Sequence, residues 1–547
     1  MAIKLSVIDR TKLFIRDTNR WSLLTVAIVC IICIPLFTII GNLSGGVGEM
    51  WSHVAEYLLI DYLSNSFVLL IGTGILALLF GVPAAWFISN YDFPFRNALN
   101  WLLYIPLAIP SYIMSYAYVG MFGHGGSLEK LGNALGFGGF NISMMNIWGL
   151  MFVLSISLYP YVFASSRVMF SSASGSIKES AELLGISHKR YFWKIALPVA
   201  SPAIFGGLFL VLMEVLNDYG AAKYYGINTF TTGIFRTWTA LEDLQTAIYL
   251  AFILVVLVLI LMSINKAIRG RKSYVTPDLA QTDIQRRKPI GSFQKVGIPI
   301  ICALPFVLGF LLPVLQLGYW ATFHLHEQLS TDFLWISTQS LFIAVIASLI
   351  TVSVTVMLVF FPKWSPQKFT KSLIKLSTVG YIIPGAVIGI TLVASSGFFV
   401  RSFNDWFGLE IGYLIYSGLF LLLFAYLFRF LAVAYNPIEA HSLRVGSNLA
   451  ESAYMLGKSR IRTLFNIELP LLKSSLVSGF LIVFIDVMKE LPLTLLLKPY
   501  QLQTLAIKAY EYADDERVSE AAITSLILIL IVCATMFIVT KLSNDQK

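Results

Sequence analysis

The sequence predicts an all-α membrane protein: about twelve transmembrane helices, written as two six-helix repeats related by a pseudo-two-fold axis along the membrane normal. Three observations carry that prediction. Of 547 residues, 57% are hydrophobic and 13% charged, where an average soluble domain has about 25% charged residues; mean hydropathy is +0.77. The apolar residues gather in twelve runs, each near the ~20 residues that a helix rising ~1.5 Å per residue needs to cross ~30 Å of hydrocarbon. A short motif recurs half a chain later in the same register. A soluble fold of this length cannot hide so much apolar surface behind a polar skin. Soluble enzymes, disordered chains and nucleic-acid-binding domains are thereby excluded, despite the net charge of +9.

The runs lie near 21–40, 66–89, 101–122, 146–166, 201–222 and 246–265, then 297–321, 337–361, 376–400, 411–428, 474–497 and 521–540. Ten of them contain no Asp, Glu, Lys or Arg; the fifth and eleventh do. Lys4, Arg10, Lys12, Arg16 and Arg20 precede the first run like the basic start of a signal peptide. The apolar part is too long for one and lacks a small-x-small cleavage site, so it reads as a retained helix. With the N-terminus in the cytoplasm, the segments on that side hold 31 of the 39 Lys and Arg and the outer loops hold 7, with Lys489 inside a helix. Both termini are therefore expected in the cytoplasm, and the basic excess serves orientation and anionic lipid. Four Cys, all in apolar runs, exclude a disulfide framework. Cys30 and Cys33 form a CxxC at mid-membrane, which reads as helix packing.

The repeat is explicit. Glu179-Ser180-Ala181, Gly185 and Ile195-Ala196-Leu197-Pro198 match Glu451-Ser452-Ala453, Gly457 and Ile467-Glu468-Leu469-Pro470, every position offset by 272. Glu214 matches Asp486 and Asp218 matches Glu490 at the same offset. Six helices per half give both halves one orientation, hence an axis along the membrane normal. The expected organisation is a first repeat at 1–268, a basic cytoplasmic linker at 269–295 and a second repeat at 296–547.

The repeated segment faces the cytoplasm, at about 170–200 and 436–473. A Glu-x-Ala turn of helix, a Gly that permits a sharp change of direction and a Leu-Pro suited to the first turn of the next span describe a short helix across the membrane face. Such an element can dock into a groove on a partner and move as a lever. The pattern resembles the EAA loop of ABC-importer permeases, with Ser180 and Ser452 where that family has Ala. The stretches 211–238 and 483–522 (VLMEVLNDYGAAKYYGINTFTTGIFRTW and VFIDVMKELPLTLLLKPYQLQTLAIKAYEYADDERVSEAA) are most similar to the fused, two-domain permeases of ferric-iron importers. The resemblance covers nearly the whole chain. It implies that Glu179, Ala181, Gly185, Glu451, Ala453 and Gly457 belong to coupling loops that receive two copies of an ATP-binding cassette subunit. It implies an extracytoplasmic ferric-iron binding protein as the source of cargo, ATP and Mg held by the partner ATPase and no cofactor in this chain. It also implies a multi-pass place in a bacterial inner membrane.

Glu214 and Asp218, like Asp486 and Glu490, are four apart and share a helix face. An ionised side chain facing lipid costs roughly 2.5–3.5 kcal/mol, so the four acids and Lys489 are expected to face the bundle interior or water. Glu214 lies ~20 Å and Asp218 ~26 Å along the helix from Ser201. Gly220 and Pro492 are expected to break the two helices at matched places, as where helices line a pathway. The expectation is that the four acids line the translocation route; the alternative is that Lys489 pairs with one and the others satisfy helix ends. His324 and His326 beside Glu327, and a Gly-rich outer loop at 120–139, are weaker signals.

No Gly-x-x-x-x-Gly-Lys-Ser/Thr occurs, so the chain has no usual ATP-cradling loop, and no catalytic or metal constellation stands out. Energy and cargo capture are expected from other chains, with no enzymatic role here. The alternatives are the same role for thiamine, phosphonate or polyamine, a secondary transporter, or a non-transporting scaffold. The major facilitator signature is missing: the junction between the second and third helices reads SNYDFPFRNALN.

Overall fold

The computed structural model describes residues 20–43, 45–137, 142–172, 180–181, 183–270, 288–289, 294–328, 331–364, 368–408, 412, 415, 419–446 and 448–544. Among these, nine helices are long and apolar enough to cross a membrane, and the number reaches twelve when each of three bent pairs is counted as one span. In chain order they are α1 (Arg20–Ile32 with Ile34–Leu43), α2 (Trp51–Asn90), α3 (Arg96–Ala108 with Ser111–Ala134), α4 (Ile147–Ser171), α5 (Lys189–Asn217) and α6 (Leu244–Ile268). There follow α7 (Val296–His324), α8 (Thr331–Trp364), α9 (Gly385–Phe407), α10 (Phe420–Val445), α11 (Arg460–Leu471 with Lys473–Lys489) and α12 (Ala521–Leu542). The strand pairing among the described residues is a two-residue parallel ladder, Tyr91 with Lys288 and Asp92 with Pro289.

Every expected run holds a span, with three corrections. The tenth run spans 411–428 in the sequence, where Arg429 ends the apolar stretch. The helix instead runs Phe420–Val445, and Arg429 sits inside it, 5% exposed, because it has a buried carboxylate partner. The third run is broken: α3 bends by 95° where Pro110 follows a 3₁₀ turn over Ile105–Ala108. The helix start expected at Pro198 is a π-turn inside a continuous helix, Phe192–Ala196, and its mate Leu464–Glu468 precedes Pro470. Proline has no N–H to give and its ring pushes aside the carbonyl four residues back, which widens the preceding turn.

The described residues form two compact units that cut across the sequence halves. One gathers the described parts of Met1–Gly46, Trp335–Thr504 and Ala534–Lys547; the other gathers Val47–Leu334 and Leu505–Cys533. In the first unit α1 packs on α9, α10 and the short helix Lys368–Ser377. Trp21 lies 4.5 Å from the ring of Trp364 and 5.0 Å from that of Phe361. α1 bends by 51° at Cys33, where Pro35 leaves a carbonyl without its donor. Cys30 is exposed and Cys33 buried, and both are free thiols.

In the second unit the tightest packing is α2 against α4 and α4 against α5. The backbones approach closely: a Cβ at Gly207 would lie 2.6 Å from the Tyr161 carbonyl, and one at Gly81 2.9 Å from Val162. Small residues at such crossings are what membrane helices use in place of a hydrophobic drive. α7 also belongs here; Tyr118 donates to the Leu308 carbonyl at 2.6 Å. The opening helix of each sequence repeat thus packs among helices of the other.

Candidate functional site

Two kinds of feature recur at the 272-residue offset: a pair of exposed turns and a pair of broken helices. In the first turn, Ala181 is buried and Gly185 has φ +70°. The Ile186 amide donates to the Ala181 carbonyl at 3.0 Å. In the second, the helix Asn448–Met455 buries Ala453 and leaves Glu451 exposed. Gly457 has φ +79°, and Lys458 donates to Ala453 at 3.0 Å. Both are the same helix stop: a left-handed glycine followed by a long-range amide bond back to the last turn. Any other L-residue at the glycine meets its own Cβ, at about 1–2 kcal/mol. Glu179 lies outside the described residues.

Each turn presents two large apolar side chains just before its glycine. Leu183 and Leu184 are 89% and 77% exposed, and their mates Met455 and Leu456 are 89% and 82% exposed. The sequence reading passed over these four, although their register was the available signal. Each turn is also pinned to the end of a span. Phe192 packs on Trp86 of α2 with ring centroids 4.8 Å apart. Arg460 donates to the Trp364 carbonyl of α8 at 2.8 Å, and Ser459 caps that helix start by accepting from the Arg462 amide.

The expected breaks are present and share one backbone geometry. α5 ends at Asn217 and helix resumes at Gly220; α11 ends at Lys489 and resumes at Pro492. At the breaks Asp218 has φ −66°, ψ 125° and Glu490 has φ −68°, ψ 120°. Each acid serves the helix that follows. Asp218 Oδ1 accepts from the Ala222 amide at 3.0 Å, and Glu490 Oε1 accepts from the Leu493 amide at 3.1 Å. Threonines close both turns: Thr231 donates to the Asp218 carbonyl at 2.6 Å and Thr494 to the Glu490 carbonyl at 2.8 Å. A negative charge at a helix start is favourable.

The side-chain partners differ. Ser111 donates to Asp218 Oδ2. Glu490 Oε2 instead lies 3.3 Å from Arg429 Nε, both side chains 6% exposed. Glu214 and Asp486 lie one turn earlier and are half-buried. Arg429 and Gly385 were missed in the sequence, Arg429 because the charge count assigned it to a flanking segment.

The weaker signals resolve separately. His324 Nε2 is 3.2 Å from Ser519 Oγ, while the side chains of His326 and Glu327 lie outside the described residues. No group of three or more His, Cys, Asp or Glu among the described residues is placed to hold a metal. The Gly-rich loop contains a helix, Ser127–Ala134, with the Gly125 amide donating to Glu129 at 2.7 Å.

Comparison with known proteins fits this twofold construction. The model of the binding-protein-dependent transport system inner membrane component matches twice, over residues 77–274 and 364–546. The Fe(3+)-transport system permease protein FbpB 2 of Haemophilus influenzae is 23% identical over 529 residues, which cover 95% of this chain and 97% of that protein. The sulfate transport system permease protein CysT of Escherichia coli is 27% identical over 168 residues, 30% of this chain and 57% of its own. The molybdate/tungstate transport system permease protein WtpB of Thermococcus kodakarensis is 23% identical over 194 residues, 36% of this chain and 71% of its own. With the family model matched over more than half of its length, the chain belongs to the binding-protein-dependent transport system inner membrane components, a family of multi-pass permeases and not of enzymes.

Proposed function

We propose that this chain is the whole membrane permease of an ATP-driven importer of ferric iron. The observation that carries the importer mechanism is the matched pair of turns, each exposing two apolar side chains beside a left-handed glycine. Two such surfaces suit two copies of an ATP-binding cassette subunit, one at each turn, with ATP and Mg held there. Closure of the ATPase pair on ATP drives the turns together and turns the route outward; hydrolysis resets it. An extracytoplasmic binding protein delivers cargo at the opposite membrane face. Both termini and the linker at 269–295 then lie in the cytoplasm, between repeats at 1–268 and 296–547.

Ferric iron is favoured over other cargoes because the relative matched end to end carries Fe(3+) in its name, whereas the sulfate and molybdate permeases match over about one repeat. In this reading Glu214, Asp218, Asp486 and Glu490 line the route, as hard oxygen groups suited to a hard cation.

The mechanism is tested by Gly185→Pro and Gly457→Pro, which forbid the left-handed turn. Each is expected to abolish co-purification of the ATPase subunit and uptake while the spans stay folded. Normal co-purification and uptake in both would refute coupling through these turns.

A further inference from the structure

The two breaks are one construction built with different charges. Around the first stand Ser157, Ser111 and Asp218; around the second, in matched places, stand Arg429, Gly385 and Glu490. Ser157 and Arg429 are 272 residues apart; Ser111 and Gly385 follow Pro110 and Pro384, 274 residues apart, each just after a 3₁₀ turn and with ψ angles of 145° and 141°. The roles correspond. Ser157 Oγ donates to the Ile109 carbonyl at 3.4 Å, and Arg429 Nη1 donates to the Ile383 carbonyl at 3.5 Å.

What differs is the sum of charge. At the second break a guanidinium faces the carboxylate, and a glycine leaves room for both: a Cβ at Gly385 would lie 2.6 Å from Arg429 Nη1 and 2.8 Å from Glu490 Oε1. That site is closed and neutral. At the first break the hydrogen bonds to Asp218 come from Ser111 and from backbone amides, and among the described residues no cation pairs with it. Asp218 is also more open than Glu490, half-buried against 7% exposed. A carboxylate kept inside a bundle without a counter-ion is costly unless water or a cation reaches it.

We propose that Asp218 is the charge-selecting residue of this permease, one that admits a cationic cargo and rejects oxyanions, while Glu490, paired with Arg429, adds no net charge to that selection. The proposal rests on the reading that the breaks belong to the route. It separates the four acids, which the sequence treats alike, and sets this chain apart from an oxyanion carrier on electrostatic grounds.

The test uses the full chain with its ATPase and binding protein in cells, given labelled ferric iron, thiamine and sulfate in parallel. Asp218→Asn is expected to lower uptake of the cationic cargo at least tenfold at normal expression and normal ATPase association. Asp218→Glu should restore most of it. The pair Arg429→Gln with Glu490→Gln, which changes no net charge, should cost at least threefold less uptake than Asp218→Asn. Wild-type uptake in Asp218→Asn, or equal losses in Asp218→Asn and the double variant, would overturn the proposal. Thiamine uptake without iron uptake by the unaltered chain would refute the iron reading, and undiminished thiamine uptake in Asp218→Asn would then overturn the proposal as well. Sulfate uptake by the unaltered chain would refute both.

Discussion

A side chain added at Gly385 would enter the space of the Arg429–Glu490 pair, since its Cβ would stand 2.6 Å from the guanidinium and 2.8 Å from the carboxylate. Both charged groups are buried and cannot swing into water. Gly385→Ala is therefore expected to destabilise the purified chain by about 1–3 kcal/mol, the usual penalty of overpacking, read as a lowered melting midpoint; an unchanged midpoint would show that the pair yields freely. A second residue-scale device lies outside the spans. Burial pushes the Asp243 carboxyl up, but hydrogen bonds from the Thr246 amide and hydroxyl and from the Met50 and Gln245 amides outweigh it and hold the group below its ordinary 3.8. The folded form thus binds the proton less tightly than the unfolded one. The stabilisation is present above that ordinary value and is lost as pH falls through the lower folded value. Protection of the Met50 and Thr246 amides, taken relative to their intrinsic exchange rates, should fall below about pH 4 in the native chain. In Asp243→Asn the same amides should be less protected at neutral pH, with little further change in protection on acidification, and identical protection profiles in the two proteins would contradict this. None of this was legible in the sequence, where Asp243, Gly385 and Arg429 are single letters far from their partners.

At the scale of elements, much could be read in advance. The exposed turns follow from a periodic fact, an Ala-x-x-x-Gly spacing repeated at a fixed offset, and a left-handed glycine is a local property. The helix breaks at Gly220 and Pro492 were likewise visible, because both residues interrupt helices for local reasons. The π-turns before Pro198 and Pro470 were not. They arise because packing keeps the helix going past a proline that would otherwise start it, a balance that local propensity does not contain. The proposed docking rests on four apolar side chains that are largely exposed where they stand. Replacing Leu183, Leu184, Met455 and Leu456 by Ser is expected to leave the melting midpoint unchanged and reduce ATPase co-purification at least tenfold. Retained association would place the docking surface elsewhere.

For the whole molecule, composition and run length were enough to announce a many-span membrane protein with a duplicated plan, because a bilayer imposes both length and polarity on each helix. The exchange of opening helices was hidden, since it concerns which apolar surface meets which, and apolar runs carry no address. It has a consequence for expression. Trp21 in α1 covers Phe361 and Trp364, and α7 supplies the carbonyl that Tyr118 uses. Residues 1–268 and 296–547 made separately should each aggregate in detergent and be rescued by co-expression; independent monodisperse halves would contradict the exchanged packing.

The proposed activity of this permease is inward transport of ferric iron at the expense of ATP. The most direct measurement is accumulation of labelled ferric iron, beside labelled thiamine, in iron-starved cells with and without the chain. Iron accumulation is expected to be lost with the chain and to return with it, while thiamine accumulation is indifferent. Iron accumulation that persists undiminished without the chain would contradict the cargo and, with it, the iron-based reading of the acids at the helix breaks.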